Sequence, residues 1–164
     1  ATALKGGIAS EEAVTKMVES MVALNRKASE WMQAFGAHAC TDITGFSFIG
    51  HTLEMAIASK VGMVIRSENI PLLPESMEYA RLGLIPGGAY SNRQFFSCRV
   101  DADPNVPELR IDLLYDPQTS GGLLISLPIV EAGKLVGTLK KEEKIEAYIV
   151  GEVVEGPEGK IRIL

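Results

Sequence analysis

The chain has 164 residues, 46% of them hydrophobic and 23% charged, with a formal net charge of −5, the composition of a globular chain that can bury one core of its own. The acidic balance provides no basic stripe to follow a phosphate backbone, which argues against nucleic acid as a partner. No apolar run approaches the roughly 18 residues needed to span a bilayer, so no membrane partner is expected, and the opening "ATALKGG" has neither the anatomy of a signal peptide nor an initiator Met.

Ser10 ahead of Glu11 and Glu12 predicts a helix start, because the hydroxyl can cap free N–H groups and the acids suit the positive end of the helix dipole. Val14, Met17, Val18 and Met21, then Ala28, Trp31, Met32 and Phe35 after a break at Asn25, recur at three- and four-residue steps. One face of this stretch is expected to pack inward as core, with Gly36 as its stop. Ala37 to Cys40 reads as a short buried strand. A largely buried helix is expected after Gly45, carrying Phe48, Ile49, Thr52, Leu53, Met55, Ala56 and Ile57, and Val61 to Ile65 reads as a second strand.

Pro74 stands at the first position of a predicted helix through Arg81 that ends at Gly83. "IPGGAYSNRQ" reads as a loop, because Gly87-Gly88 and a polar cluster disfavour regular structure. Beyond it, Phe95 to Val100 is predicted as a short strand, Asp101 to Pro107 as a linker and Glu108 to Tyr115 as a short helix. Leu123 to Leu127 is predicted as a buried strand and Pro128 to Lys140 as an amphipathic helix. Ala147 to Val154 and Lys160 to Leu164 are expected to pair as a hairpin around "EGPEG". The sum is a single α+β domain over residues 1–164, a mixed β-sheet covered by α-helices.

Two short constellations carry chemistry. In "TDITGF" the carboxylate of Asp42 is flanked by the hydroxyls of Thr41 and Thr44, and Gly45 permits close approach of a ligand. Such a turn suits a hard divalent cation, since Mg²⁺ takes one or two carboxylates and completes its shell with water and phosphate. The alternative is that Asp42 caps the following helix, and on spacing alone that role is the commoner one. In "YDPQTSGGLL", Asp116-Pro117 fixes a turn, Gln118, Thr119 and Ser120 supply donors, and Gly121-Gly122 lets main-chain N–H groups point at an anion. This loop is either a phosphate cradle or a plain connection into Leu123-Leu124-Ile125. His51, one turn down the helix from Phe48, is expected to be a buried structural histidine, and His38 is read the same way. Cys40 and Cys98 belong to no Cys-x-x-Cys pair and are read as reduced, structural thiols of a cytoplasmic protein.

The segments "HACTDITGFSFIGHTLEMA", "IPLLPESMEYARLGLIPGGAYSNRQ" and "LLYDPQTSGGLLISLP", in this order, resemble the carboxyl-terminal half of the selenophosphate synthetase (selenide, water dikinase) family, and "LNRKASEWMQAFG" looks like the same family. Aminoimidazole ribonucleotide synthetase, thiamine-monophosphate kinase and a hydrogenase maturation protein share that architecture without the "DPQTSGG" segment. The resemblance implies an ATP-dependent phosphoryl transfer to selenide, giving selenophosphate, AMP and orthophosphate with Mg²⁺. It implies that Asp42 is a metal ligand, that Thr41, Thr44 and Gly45 form its supporting turn, and that Thr119, Ser120, Gly121 and Gly122 line the same ATP and phosphate cleft. Ser47 and Phe48 stand where the family usually shows a glycine and a small aliphatic residue.

The family's glycine-rich segment, its catalytic cysteine or selenocysteine with a lysine, and further metal-binding acids lie in an amino-terminal ATP-binding domain that is absent from these residues. Neither Cys40 nor Cys98 matches the catalytic position, so no catalytic residue is expected here and the chain alone is expected to be inactive. The implied partners are that amino-terminal domain, ATP and selenide, with a homodimer for the full-length protein. Two other readings stay open: a kinase or ligase of the same superfamily with a different acceptor, and a stand-alone binding module.

Overall fold

The helix that follows the Asp42 turn organises the rest of the chain. In the computed structural model, which describes residues 1–164, eight α-helices and six strands occur in the order α1 (Thr2–Lys5), α2 (Glu11–Val22), α3 (Arg26–Ala34), β1 (Ala39–Asp42), α4 (Ser47–Ser59), β2 (Gly62–Ile65), α5 (Ser76–Arg81), α6 (Gly87–Phe96), β3 (Val100–Ala102), α7 (Glu108–Leu114), β4 (Leu123–Ser126), α8 (Ile129–Thr138), β5 (Gly151–Val154) and β6 (Ile161–Ile163). Every residue of α4 from Ser47 to Leu53 is buried, as are Met55 and Ala56. Small residues let neighbours approach it closely: a Cβ on Gly50 would lie 2.7 Å from a ring carbon of Phe96. Ile49, Leu53 and Ala56 join Met63 and Ile65 of β2, Ile161 and Ile163 of β6, and Ile111, Leu114 and Tyr115 around α7 in one apolar core.

The main sheet has the order β3-β6-β2-β5. β6 runs parallel to both β2 and β3, and β5 runs antiparallel to β2. The expected hairpin between the last two segments is therefore not formed, because β2 lies between them. β2 is an apolar strand with hydrogen-bonding groups to satisfy on both edges, and the "EGPEG" turn crosses its end instead of closing on itself. Gly159 N–H donates to Val61 O at 2.8 Å, and Gly62 packs so closely on the turn that a Cβ there would sit 3.0 Å from Pro157 O. β1 and β4 form a separate two-stranded antiparallel ribbon beside α4, so the mixed sheet does not include them.

Several expectations hold. Ser10 Oγ accepts from Ala13 N–H at 3.1 Å and caps α2 as predicted; the same hydroxyl donates to Glu75 Oε1 at 2.6 Å, tying α2 to the start of α5. The break at Asn25, the helix over Glu108–Leu114 and the strand at Leu123–Ser126 are all present, and α8 continues as one π-helical turn over Leu139–Glu143.

Others are corrected. "IPGGAYSNRQ" is not a loop but contains most of α6: Pro86 fixes the extended residue ahead of the helix, and the two glycines fall in the first turn, where no side chain is needed. Phe95 and Phe96 end α6 rather than starting a strand, and β3 begins only at Val100, inside part of the expected linker. α5 starts at Ser76 behind Glu75, which takes a left-handed conformation, so Pro74 precedes the helix by two positions. The Met and aromatic stripe of α2 and α3 is only half-covered, with Ala13 the one buried residue of α2 and none in α3. Cys40, Cys98 and His38 are exposed rather than buried. No helix is long and apolar enough to cross a membrane.

Leu53 is 1% exposed at the centre of this arrangement. Leu53→Ala is expected to cost about 2–5 kcal/mol, the usual range for a truncated core leucine, read as a shifted midpoint in a single cooperative urea transition. A loss under about 1 kcal/mol would show that α4 is not the centre of the core.

Candidate functional site

β1 alternates: Ala39 and Thr41 are half-buried, whereas Cys40 and Asp42 face solvent. The strand pairs with β4 in the register Ala39↔Ser126 to Asp42↔Leu123, which places Asp42 at its carboxyl end opposite the residue that follows "TSGG". The pairing then runs on into both loops. Ile43 N–H donates to Gly122 O at 2.9 Å, Gly121 N–H to Ile43 O at 3.0 Å, and Gln118 N–H to Thr44 O at 3.1 Å. The two constellations, some eighty residues apart in sequence, are thus one backbone unit.

Gly121 is required by that approach. A Cβ there would fall 2.3 Å from Ile43 O, a distance no side chain tolerates. Its N–H is spent on Ile43, so Gly121 shapes the loop instead of presenting a donor. The N–H groups of Thr119, Ser120 and Gly122 bond to no other group of the chain, and these three residues are exposed. Two asparagines that the sequence reading passed over lock the unit from outside. Asn25 Nδ2 donates to Gly121 O at 2.9 Å, and the buried Asn92 donates to Gly45 O at 3.0 Å and to Tyr115 O at 3.1 Å, clamping one loop to the other.

Asp42 does not cap α4. The residue ahead of that helix, Phe46, offers no side-chain cap, and the Asp42 carboxylate takes part in no hydrogen bond or ion pair within the chain. Ser47 Oγ lies 3.3 Å from the Gly50 nitrogen, whose N–H already donates to Phe46 O at 3.1 Å. An exposed carboxylate with all its lone pairs available suits a hard cation as one ligand of several. No group of three or more His, Cys, Asp or Glu that could hold a metal ion exists in the chain.

Around it, Thr44 Oγ1 lies 3.0 Å from His51 Nε2, and His51 Nδ1 lies 2.9 Å from a Glu54 carboxylate oxygen. His51 is buried, as expected, and the partners it finds were not foreseen. Burial, and after it the Asp42 charge, push the Cys40 thiol up, which keeps it protonated and a poor nucleophile. Asp116 is half-buried, and desolvation pushes its carboxyl up. Two open hollows, of about 620 and 530 Å³, are lined by Trp31 with residues of α8 and its extension, and by Glu68, Pro71 and Tyr148 with their neighbours. Neither includes a residue of the two loops. The Asp42 carboxylate itself faces solvent.

Residues 2–164 match the model of the AIR synthase related protein, C-terminal domain, and the chain belongs to that family. Among individual proteins it is similar to several named selenide, water dikinase. It is 49% identical over 156 residues to that of Pelobacter propionicus, covering 95% of this chain and 45% of that protein. It is 42% identical over 163 residues to that of Clostridioides difficile, covering 99% and 47%, and 45% identical over 157 residues to that of Caldanaerobacter subterraneus, covering 96% and 45%. The chain spans a little under half the length of these relatives.

Ser47 has φ 73° and is fully buried. Glycine adopts that angle without steric cost. Ser47→Gly is therefore expected to match or exceed the parent in stability, while Ser47→Ala, which keeps the strained angle, should fall below the glycine variant by roughly 1 kcal/mol. Urea midpoints of the three proteins check the order; an alanine variant as stable as the glycine one would remove the left-handed angle as the reason.

Proposed function

We propose that this chain is the carboxyl-terminal domain of an ATP-dependent phosphotransferase that makes selenophosphate from selenide, ATP and water, releasing AMP and orthophosphate. In this reading Asp42 contributes one carboxylate to a Mg²⁺ on the nucleotide phosphates. The Thr41, Thr44 and Gly45 turn and the Thr119 to Gly122 loop border the same cleft, and an amino-terminal domain supplies the nucleophile, the remaining acids and most of the ATP contacts. The similarity to proteins named selenide, water dikinase supports the reaction class. The observation that carries the site is the Asp42 carboxylate itself: solvent-facing, unpaired, at the end of a strand, and bound through the backbone to a loop with free N–H donors.

Phosphoryl transfer asks a protein mainly to position its reactants and neutralise charge. A Mg²⁺ held in part by Asp42 would offset the charge that develops on the phosphate. This chain's part is to hold one hard oxygen ligand on a rigid ribbon and to offer main-chain donors beside it. A platform open to solvent needs a second surface to exclude water, and the amino-terminal domain is that surface. The uncovered apolar residues Val22 at the end of α2 and Leu24 just after it, and Ile129 and Val130 at the start of α8, 63% exposed or more, support packing against another domain or against a second copy in a homodimer.

The test is Asp42→Asn in the full-length protein, which keeps the side-chain shape and removes the charge a divalent cation needs. Selenide-dependent AMP formation across a Mg²⁺ titration should fall by more than about 100-fold, beyond the ~10–100-fold cost of losing a group that merely supports a metal ligand, with the thermal melt unchanged. Near-parental turnover at ordinary Mg²⁺ would sink the metal-ligand assignment.

A further inference from the structure

Three polar groups beside the Asp42 turn form a chain that neither the fold nor the proposed reaction has absorbed. Glu54 is exposed on α4, His51 is 8% exposed one turn before it, and the Thr44 hydroxyl closes the series. The ring is hemmed in by Phe46, whose centroid lies 5.6 Å from that of the imidazole.

The donor count along this chain is restrictive. An ionised Glu54 carboxylate only accepts, so the proton of the neutral imidazole must sit on Nδ1. Nε2 is then an acceptor, and the only group it meets is Thr44 Oγ1, 3.0 Å away. With the ring neutral, the threonine hydroxyl donates its one hydrogen inward to Nε2. What remains on Thr44 is a pair of lone pairs. A hydroxyl in that state can bind a cation, or the water of a hydrated cation, but it cannot donate to a phosphate oxygen.

We propose that Glu54 and His51 are positioning residues that fix the tautomer of the imidazole and thereby make Thr44 an obligate acceptor, so that Thr44 serves the cation side of the Asp42 turn and not the phosphate side. The proposal rests on the reading of that turn as cation-binding. It divides the loop residues by role: Thr44 joins Asp42 in holding the metal or its water, while anion contacts are left to the unbonded N–H groups of Thr119, Ser120 and Gly122.

The experiment is carried out on the 164-residue chain and reads no turnover. Long-range ¹H–¹⁵N NMR of the imidazole, at a pH where the ring is neutral, reports which nitrogen carries the proton, and Mn²⁺ titration reports cation approach through paramagnetic broadening of the Thr44 amide. The parent should show the Nδ1–H tautomer and broadening at Thr44. Glu54→Ala should move the proton to Nε2, turn the Thr44 hydroxyl outward as a donor, and weaken the Thr44 broadening at least about threefold. Glu54→Gln, whose amide oxygen still accepts from Nδ1–H, should restore both readouts, which separates positioning from the loss of a negative charge. An Nε2–H tautomer in the parent, or Glu54→Gln losing as much as Glu54→Ala, overturns the proposal and leaves the Asp42 reading standing. The expected tautomer with no Mn²⁺ broadening at Thr44 overturns the cation reading of the turn, and this proposal with it. Should Glu54→Ala disturb the amide spectrum as a whole, Thr44→Val decides the matter: it must lose the broadening while the rest of the spectrum keeps its dispersion, and unchanged broadening of the residue-44 amide overturns the proposal.

Discussion

A helix buried on nearly all its sides sets the terms for this fold. α4 has no face to give to solvent over Ser47 to Leu53, so the chain must cover it from several directions at once. The four-stranded sheet, α6, α7 and the β1–β4 ribbon are the cover. A surface helix presents one apolar stripe and is satisfied by one neighbour. A central helix needs a full set, and its backbone positions are correspondingly fixed, because interiors pack as densely as crystals and yield little to strain. The turn that carries Asp42 enters this helix directly and inherits its rigidity. A ligand group at the mouth of such a helix is held by the core even though its own side chain is exposed.

The ribbon does the complementary work. Hydrogen bonds at Ile43, Thr44, Gln118 and Gly121 continue strand pairing past the ends of the strands, so two irregular segments keep a fixed separation without regular structure of their own. Asn25 and Asn92 add side-chain ties where main-chain partners run out. The result is a fixed juxtaposition: an exposed carboxylate at the end of one strand and unbonded amide N–H groups in the facing loop. Preorganised dipoles and charges are most effective where water is excluded, and Asp42, Thr119, Ser120 and Gly122 are all exposed.

Much of this was legible in the residues, and the gaps have physical causes. Asp42 was located by its neighbours, since small residues before it and an apolar run after it could only be a strand turning into a helix. That Asp42 does not cap the helix was not legible, because capping depends on whether the carboxylate points back at the helix, and here it bonds to no group of the chain. Gly121 was read as a donor because glycine pairs suit anion loops; it is there because a carbonyl from a segment eighty residues earlier passes too close for any other residue. The α6 error has a local origin: glycines at the first turn of a helix look identical to glycines in a loop until Ala89 and Asn92 are seen to be buried. Periodicity identified the last two strands but carries no information about partners, and β2 claimed both.

The position of β6 bears on how the molecule is made. It is the strand between β2 and β3, yet about a hundred residues separate it from β2 in the chain. As a chain emerges from a ribosome at roughly 5–20 residues per second, β2 waits on the order of ten seconds for the neighbour that completes its parallel edge, and β3 has no partner in the sheet at all until the same moment. During that interval Met63 and Ile65, both buried in the finished fold, belong to an open strand, the kind of surface that pairs with whatever is near. Parallel closure therefore waits on the synthesis of β6, and it gives a holding chaperone a defined window and a defined segment to guard.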